Sequence, residues 1–149
     1  MINGDLIMKI HELIYTLDTL DDITEDLYQL LDECAIFTFT GTLGAGKTTL
    51  IQAILKRCAI HDTIQSPTFT YLSTYANAQG QTFYHFDLYR LKNLHGFTML
   101  GFEEYLYAPL SWCFIEWPEI IMPLLKKKAC HISIEYYGQE RRLLRYIVI

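Results

Sequence analysis

The 149-residue sequence has no apolar stretch near the ~20 residues that a membrane-spanning helix requires. Its start, Met1-Ile2-Asn3-Gly4-Asp5, has no basic region ahead of a hydrophobic core. Neither a bilayer span nor a secretory leader is expected, and the cytoplasm is the expected compartment. Cysteine is sparse: Cys34, Cys58, Cys113 and Cys130 form no C-x-x-C pair, and each sits in or beside an apolar run. That pattern suits buried free thiols in a reducing compartment and disfavours a zinc site. Basic residues are in deficit, 12 Lys and Arg against 17 Asp and Glu, for a net charge of −5. A chain of that sign is not expected to bind nucleic acid strongly by itself. Lys126-Lys127-Lys128 is a local basic cluster and reads as a solvated turn between two elements. There is no internal repeat, no low-complexity segment and no convincing linker.

What is present is a globular composition, 51% hydrophobic with eleven Tyr, so residues 1–149 read as a single domain with a substantial core. The stretch that organises it is Gly41-Thr42-Leu43-Gly44-Ala45-Gly46-Lys47-Thr48, which fits G-x-x-x-x-G-K-[ST]. Small residues let consecutive N–H groups turn inward around a phosphate, where a side chain would block the approach. In such a loop Lys47 places its ammonium on the β- and γ-phosphates and Thr48 offers a hydroxyl to Mg²⁺. The helix that follows directs its positive dipole end at the same anion. A chance match arises roughly once in two hundred chains of this length, and the context argues against chance. The β-rich run Ala35–Thr40 precedes the loop and the helical run Thr49–Arg57 follows it.

The other elements are read from periodicity. Leu6–Tyr15 alternates loosely, as an edge strand does. Asp22-Ile23-Thr24-Glu25 resembles a capping box with Asp22 as N-cap, followed by one apolar helical face of Ile23, Leu27, Leu30, Leu31 and Cys34. The helix after the phosphate loop is expected to end near Cys58. Ser66-Pro67-Thr68 is a stiffened loop. Phe69–Tyr75 and Gln81–Asp87 form a β-hairpin around Ala76–Gly80. Leu94–Met99 reads as irregular and Phe102–Tyr107 as a short helix. Trp112–Glu116 is a buried strand ending in an acid, with a helical turn starting at Pro118. Cys130–Tyr136 and Leu143–Ile149 are strands joined through Gly138. The pattern predicts an α/β fold: one compact P-loop domain with a mixed, mainly parallel-cored sheet flanked by helices.

Phosphate hydrolysis needs a held metal and a group that positions water. Two apolar strands end in acids, Tyr84-His85-Phe86-Asp87 and Cys113-Phe114-Ile115-Glu116. Strand C-termini gather along one edge of an open α/β sheet, so either acid can reach Mg²⁺ directly or through water. His85 reads as a packed histidine, Arg90 as a partner for an acid, and Trp112 and Trp117 as core or interface residues. The guanine-selective N-K-x-D is missing, which favours ATP over GTP.

Four blocks in order resemble the TsaE family, small bacterial ATPases of tRNA threonylcarbamoyladenosine biosynthesis. They are Gly41 to Thr49; Ser66-Pro67-Thr68-Phe69-Thr70; Tyr84-His85-Phe86-Asp87-Leu88-Tyr89-Arg90-Leu91; and Ile115-Glu116-Trp117-Pro118-Glu119. The segment Gly101–Tyr105 also fits, and the resemblance runs from about Ile23 to the C-terminus. It implies ATP and Mg²⁺ as cofactors, with Gly41, Thr42, Leu43, Gly44, Ala45, Gly46, Lys47, Thr48 and Thr49 around the phosphates. It implies Thr48 and Glu116 as metal ligands, with Asp87 near the metal, the γ-phosphate or water, and Asp87 and Lys47 as the catalytic pair. Ser66-Pro67-Thr68 would act as a switch segment, with Thr68 against the nucleotide. The base would lie between Leu17 and Arg141. Thr42 stands where the family usually has an acid, and Thr24 where its first helix tends to have glycine. The implied role is an ATPase subunit that resets a threonylcarbamoyl-transferase (TsaD-like) and its dimer partner (TsaB-like) between turnovers, meeting tRNA only through that complex. Two other readings share the same loop: a small-molecule kinase, for which no Arg-rich lid is evident, and a nucleotide-dependent binding module without significant hydrolysis.

Overall fold

A computed structural model describes residues 8–149. Among the described residues seven strands form one sheet: β1 (His11–Tyr15), β2 (Ile36–Thr40), β3 (Leu72–Ala76), β4 (Thr82–Asp87), β5 (Ser111–Glu116), β6 (Ala129–Tyr137) and β7 (Arg141–Val148). Their spatial order is β1-β7-β6-β2-β5-β4-β3. The inner four, β6, β2, β5 and β4, are parallel neighbours, and the antiparallel additions β7–β1 and β3 close the two sides. This is the mixed, parallel-cored sheet that the sequence predicts. The helices are α1 (Leu20–Gln29), α2 (Lys47–Arg57) and the short α3 (Leu94–Met99), joined by several 3₁₀ turns. No helix among the described residues is long and apolar enough to cross a membrane.

Strand alternation sends side chains into two cores. On one face Phe37, Phe39, Phe83, Phe114, Ile132 and Leu144 pack under Leu27 of α1 and Leu50, Ile51, Ile54 and Leu55 of α2. Phe37 and Phe114 stack with centroids 5.3 Å apart. On the other face Ile36, Phe86, Cys113 and Ile115 pack with Phe97 of α3 and Ile121. Each such side chain contributes ~1.5–3 kcal/mol on burial, and together they hold β2 and α2 rigidly on either side of the phosphate loop. Cys34, Cys58, Cys113 and Cys130 are buried thiols. Burial pushes Cys34 up to about 11, with Glu33 adding to it, and raises Cys58 and Cys113 to about 12. None of these three carries appreciable thiolate near neutrality.

Several local expectations are corrected. The first helix does not start at an Asp22 cap: it begins at Leu20, so Asp21 and Asp22 lie inside its first turn, where carboxylates favour the helix dipole. A Thr16–Thr19 turn precedes it, with Thr19 Oγ1 accepting the Thr16 N–H at 2.9 Å. Thr24 is buried and donates back to the Leu20 carbonyl at 2.7 Å. Leu94–Met99 is helical rather than irregular, because Asn93 Oδ1 caps Gly96 N–H at 2.9 Å. The strand expected from Phe69 starts only at Leu72. Pro67 O accepts Tyr71 N–H at 2.8 Å and holds Ser66–Thr70 as a turn, and Tyr71 itself has φ +66°. The helix expected over Phe102–Tyr107 is a 3₁₀ turn of Phe102–Tyr105. The first strand lies at the sheet edge and covers His11–Tyr15; Leu6 and Ile7 of the expected range lie outside the described residues. Lys126, Lys127 and Lys128 are exposed in the connection before β6.

Candidate active site

The phosphate loop leaves the C-terminal end of β2 and enters α2 at Lys47. Gly41 passes so close to β6 that a Cβ would stand 2.4 Å from the Ile134 carbonyl oxygen. Gly46 has φ +109°, which L side chains rarely adopt. These two glycines let the loop curl over the N-terminus of α2. Lys47 is buried and turns back to donate to the carbonyls of Gly41 (2.6 Å) and Thr42 (3.1 Å). Its ammonium also lies 4.1 Å from the Trp117 ring centroid. Burial pulls Lys47 below the ordinary lysine value, while Glu116, Asp87 and Glu119 act in the opposite direction.

The two strand-end acids come together because β4 and β5 are parallel and Asp87 pairs in register with Glu116. Both are buried. Glu116 Oε1 accepts a hydrogen bond from Thr48 Oγ1 at 2.7 Å and lies 2.9 Å from His85 Nε2. Asp87 Oδ2 accepts from Ser66 Oγ (2.5 Å) and Thr68 Oγ1 (3.2 Å), and its Oδ1 accepts the Tyr89 N–H (3.0 Å). A cleft of about 440 Å³ joins these groups, lined by Lys47, Thr48, Thr68, Asp87, Arg90 and Glu116 among others. The Thr48 hydroxyl and two carboxylates are hard oxygen donors of the kind Mg²⁺ prefers. Among the described residues no three or more His, Cys, Asp and Glu side chains form a self-sufficient metal cage. A cation here would complete its shell with phosphate oxygens and water, as Mg²⁺ ordinarily does.

On its other flank the loop borders a second cavity of about 550 Å³, lined by Tyr15, Thr16, Leu17, Asp18, Leu20, Gly44–Gly46, Thr49, Gln139, Glu140 and Arg142. Leu17 and Thr49 are on its wall, Thr49 bordering the cleft beside Lys47 as well. Arg141 is not: it is exposed, with its guanidinium 4.8 Å from the Tyr137 ring. Arg142 lines the cavity instead, donating from Nε to the Ala45 carbonyl at 3.0 Å and lying over Tyr136, whose hydroxyl donates to Gly44 O at 3.0 Å. Leu143 and Leu144 are both buried, so burial along β7 does not by itself choose between the arginines. Arg142 shares the parity of Leu144, which packs into the core beneath α1 and α2, and Arg141 that of Leu143, which does not. Thr42 and Leu43 are exposed on the outer rim of the loop.

Two side chains have more to do than the sequence reading assigned, and Arg90 does not make the acid pairing expected of it. His85 bonds an acid of the cleft. Trp117, at φ +56°, packs beneath Lys47. Arg90 lies over the exposed Phe69 ring, 4.4 Å from its centroid, and lines the cleft; among the described residues it forms no ion pair.

Comparison with known proteins establishes the family and the fold. The family model for threonylcarbamoyl adenosine biosynthesis protein TsaE matches residues 14–144. A tRNA threonylcarbamoyladenosine biosynthesis protein TsaE of Haemophilus influenzae is 37% identical over 80% of this chain and 75% of its own length. One from Rickettsia conorii is 42% identical over 81% of this chain and 68% of its own length. The crystal structure of Bacillus subtilis YdiB superposes with a TM-score of 0.71 at 23% identity, covering 96% of this chain and 88% of that one, and so shares its fold. With the motif blocks, the sheet and the family model coinciding over most of its length, the chain belongs to the TsaE family.

Proposed function

We propose that this chain is a Mg²⁺-dependent ATPase subunit of tRNA threonylcarbamoyladenosine biosynthesis, acting in the cytoplasm and resetting a threonylcarbamoyl-transferase and its dimer partner between turnovers. The observation that carries the ATPase reading is the 2.7 Å bond between Thr48 of the phosphate loop and Glu116 at the end of the neighbouring parallel strand. That pairing puts a hydroxyl and a carboxylate side by side where the loop would hold a triphosphate. The backbone supports it: at Gly41 a side chain would collide with the Ile134 carbonyl of β6 and push the loop out of place, and Gly46 holds a conformation suited to glycine. The tRNA pathway comes from the relatives' names.

Gly41–Thr48 would bind the phosphates through backbone N–H groups and the α2 N-terminus. Lys47 would exchange its two loop carbonyls for phosphate oxygens. Thr48 and Glu116 would hold Mg²⁺, which when bound neutralises charge on the β- and γ-phosphates. Asp87 would orient the attacking water, and the Ser66 and Thr68 hydroxyls, now bonded to it, would be free to turn toward the nucleotide. The base would occupy the cavity between Leu17 and Arg142. The arginine nearest the cleft, Arg90, rests on Phe69 and touches neither acid, so turnover by the isolated chain is expected to be slow. In related hydrolases an arginine supplied by a partner is worth ~10³–10⁵ in rate. ATP turnover measured for the protein alone, with tRNA alone and with the transferase pair tests the proposal. Stimulation only by the transferase pair is expected. Strong stimulation by tRNA alone, or none by the pair, overturns it; phosphate transfer to a small molecule would indicate a kinase.

A further inference from the structure

His85 is completely buried in β4, on the same face as Asp87 and Phe83. Burying an imidazole costs free energy unless its hydrogen bonds compensate, and a phenyl ring would fill similar space without that cost. Only half of the compensation is present. Nε2 lies 2.9 Å from Glu116 Oε1, while Nδ1 is the one buried side-chain nitrogen or oxygen among the described residues with no partner. A half-satisfied buried polar group in an otherwise aromatic strand calls for a reason beyond packing.

The reason lies in the geometry around Glu116. Its Oε1 is approached by two groups, Thr48 Oγ1 and His85 Nε2. Among the described residues Oε2 is not tied by a side-chain hydrogen bond. A threonine hydroxyl can donate its proton to Oε1 while its lone pairs face a cation. That leaves the imidazole as the holding contact that metal binding need not disturb. With no acceptor at Nδ1, the proton belongs on Nε2, since an N–H at Nδ1 would be buried and unpaired.

We infer that His85 is a positioning residue: it donates Nε2–H to Glu116 Oε1, fixes the carboxylate at the end of β5, and leaves Oε2 for a divalent cation. This rests on the reading of Glu116 as the cation ligand. Partners of metal ligands commonly change metal affinity 10- to 100-fold when removed. The substitution His85→Phe removes the donor while a ring of similar size still fills the strand position, and His85→Gln restores an N–H donor.

The test reads binding, not turnover. Mg²⁺ is titrated against a subsaturating fluorescent ATP analogue, with wild type, His85→Phe, His85→Gln and Glu116→Ala compared. His85→Phe should raise the Mg²⁺ midpoint about tenfold and leave Mg²⁺-free nucleotide affinity unchanged, and His85→Gln should return the midpoint toward wild type. An unchanged midpoint in His85→Phe, or a Gln variant no better than Phe, overturns the inference. Unchanged Mg²⁺ dependence in Glu116→Ala sinks instead the reading of Glu116 on which it rests. Imidazole ¹⁵N spectra of the wild-type protein provide a readout independent of how the variants fold: His85 should be protonated at Nε2, and a proton at Nδ1 overturns the inference.

Discussion

The two flanks of the phosphate loop are made of different material. Toward β4 and β5 the wall consists of buried side chains, Lys47, Asp87 and Glu116, joined to loop or strand by short hydrogen bonds. Toward β1 and β7 it is backbone and partly exposed side chains, tied to the loop through its carbonyls by Arg142 and Tyr136. On the first flank, removing one group strands a buried charge opposite it. On the second, water can replace what is lost. The same loop therefore has one intolerant side, suited to holding a reacting phosphate, and one adaptable side, suited to a base.

Substitutions should expose that asymmetry. The largest effect is expected from Lys47→Ala, which removes the ammonium that meets both the loop and the phosphates. Loss of a buried charge contact costs ~2–5 kcal/mol, and with the phosphate charge opposite it the upper end applies, so nucleotide affinity should fall by about 10³-fold or more, with the fold retained by circular dichroism. Near-normal affinity by calorimetry in the folded variant would remove the loop from nucleotide binding. Next come the acids, which should separate. Asp87→Ala should lower turnover by about 10²-fold and change binding little, as a group acting in the transition state does. Glu116→Ala should instead weaken Mg²⁺-dependent binding. Identical profiles for the two would erase the distinction between them. On the adaptable flank Arg142→Ala should reduce nucleotide affinity about tenfold, the worth of one hydrogen bond to the loop, without altering the Mg²⁺ midpoint. Arg141→Ala, its neighbour facing away, should have no effect. Reversed outcomes at these two positions would return the base-side role to Arg141. The smallest change is expected from Leu17→Ala, about threefold for partial loss of one apolar contact, read by the same calorimetry.

The same contrast explains what could be read from sequence. The loop was legible because its requirement is contiguous: small residues, Lys47 and Thr48 must follow one another along the backbone. The acids were legible because each ends an apolar run, and parallel pairing then places Asp87 beside Glu116. Contacts that depend on distant register were not. Trp117 meets Lys47 from far along the chain, and choosing between Arg141 and Arg142 requires knowing which parity of β7 faces the loop. At the local level, the Asn93 cap was available and outweighed the irregular appearance of Leu94–Met99. The loop at Ser66-Pro67-Thr68 was legible from Pro67, but its continuation past Phe69 was not, because the β-prone Phe69–Tyr71 is held back from the strand by the Tyr71 N–H on the Pro67 carbonyl.

The stacking of Lys47 on Trp117 has an optical consequence. An indole 4.1 Å from an ammonium has its excited state shaped by that charge, so moving the ammonium onto a phosphate should change the emission of Trp117. The second tryptophan sits elsewhere: Trp112 lies near the start of β5 with its N–H on the Leu31 carbonyl, roughly 17 Å of extended strand away. The chain thus contains a reporter at the reacting end of a strand and an internal reference at the other. In a Trp112→Phe protein the fluorescence of Trp117 alone would follow, without any label, the moment at which the lysine changes partners.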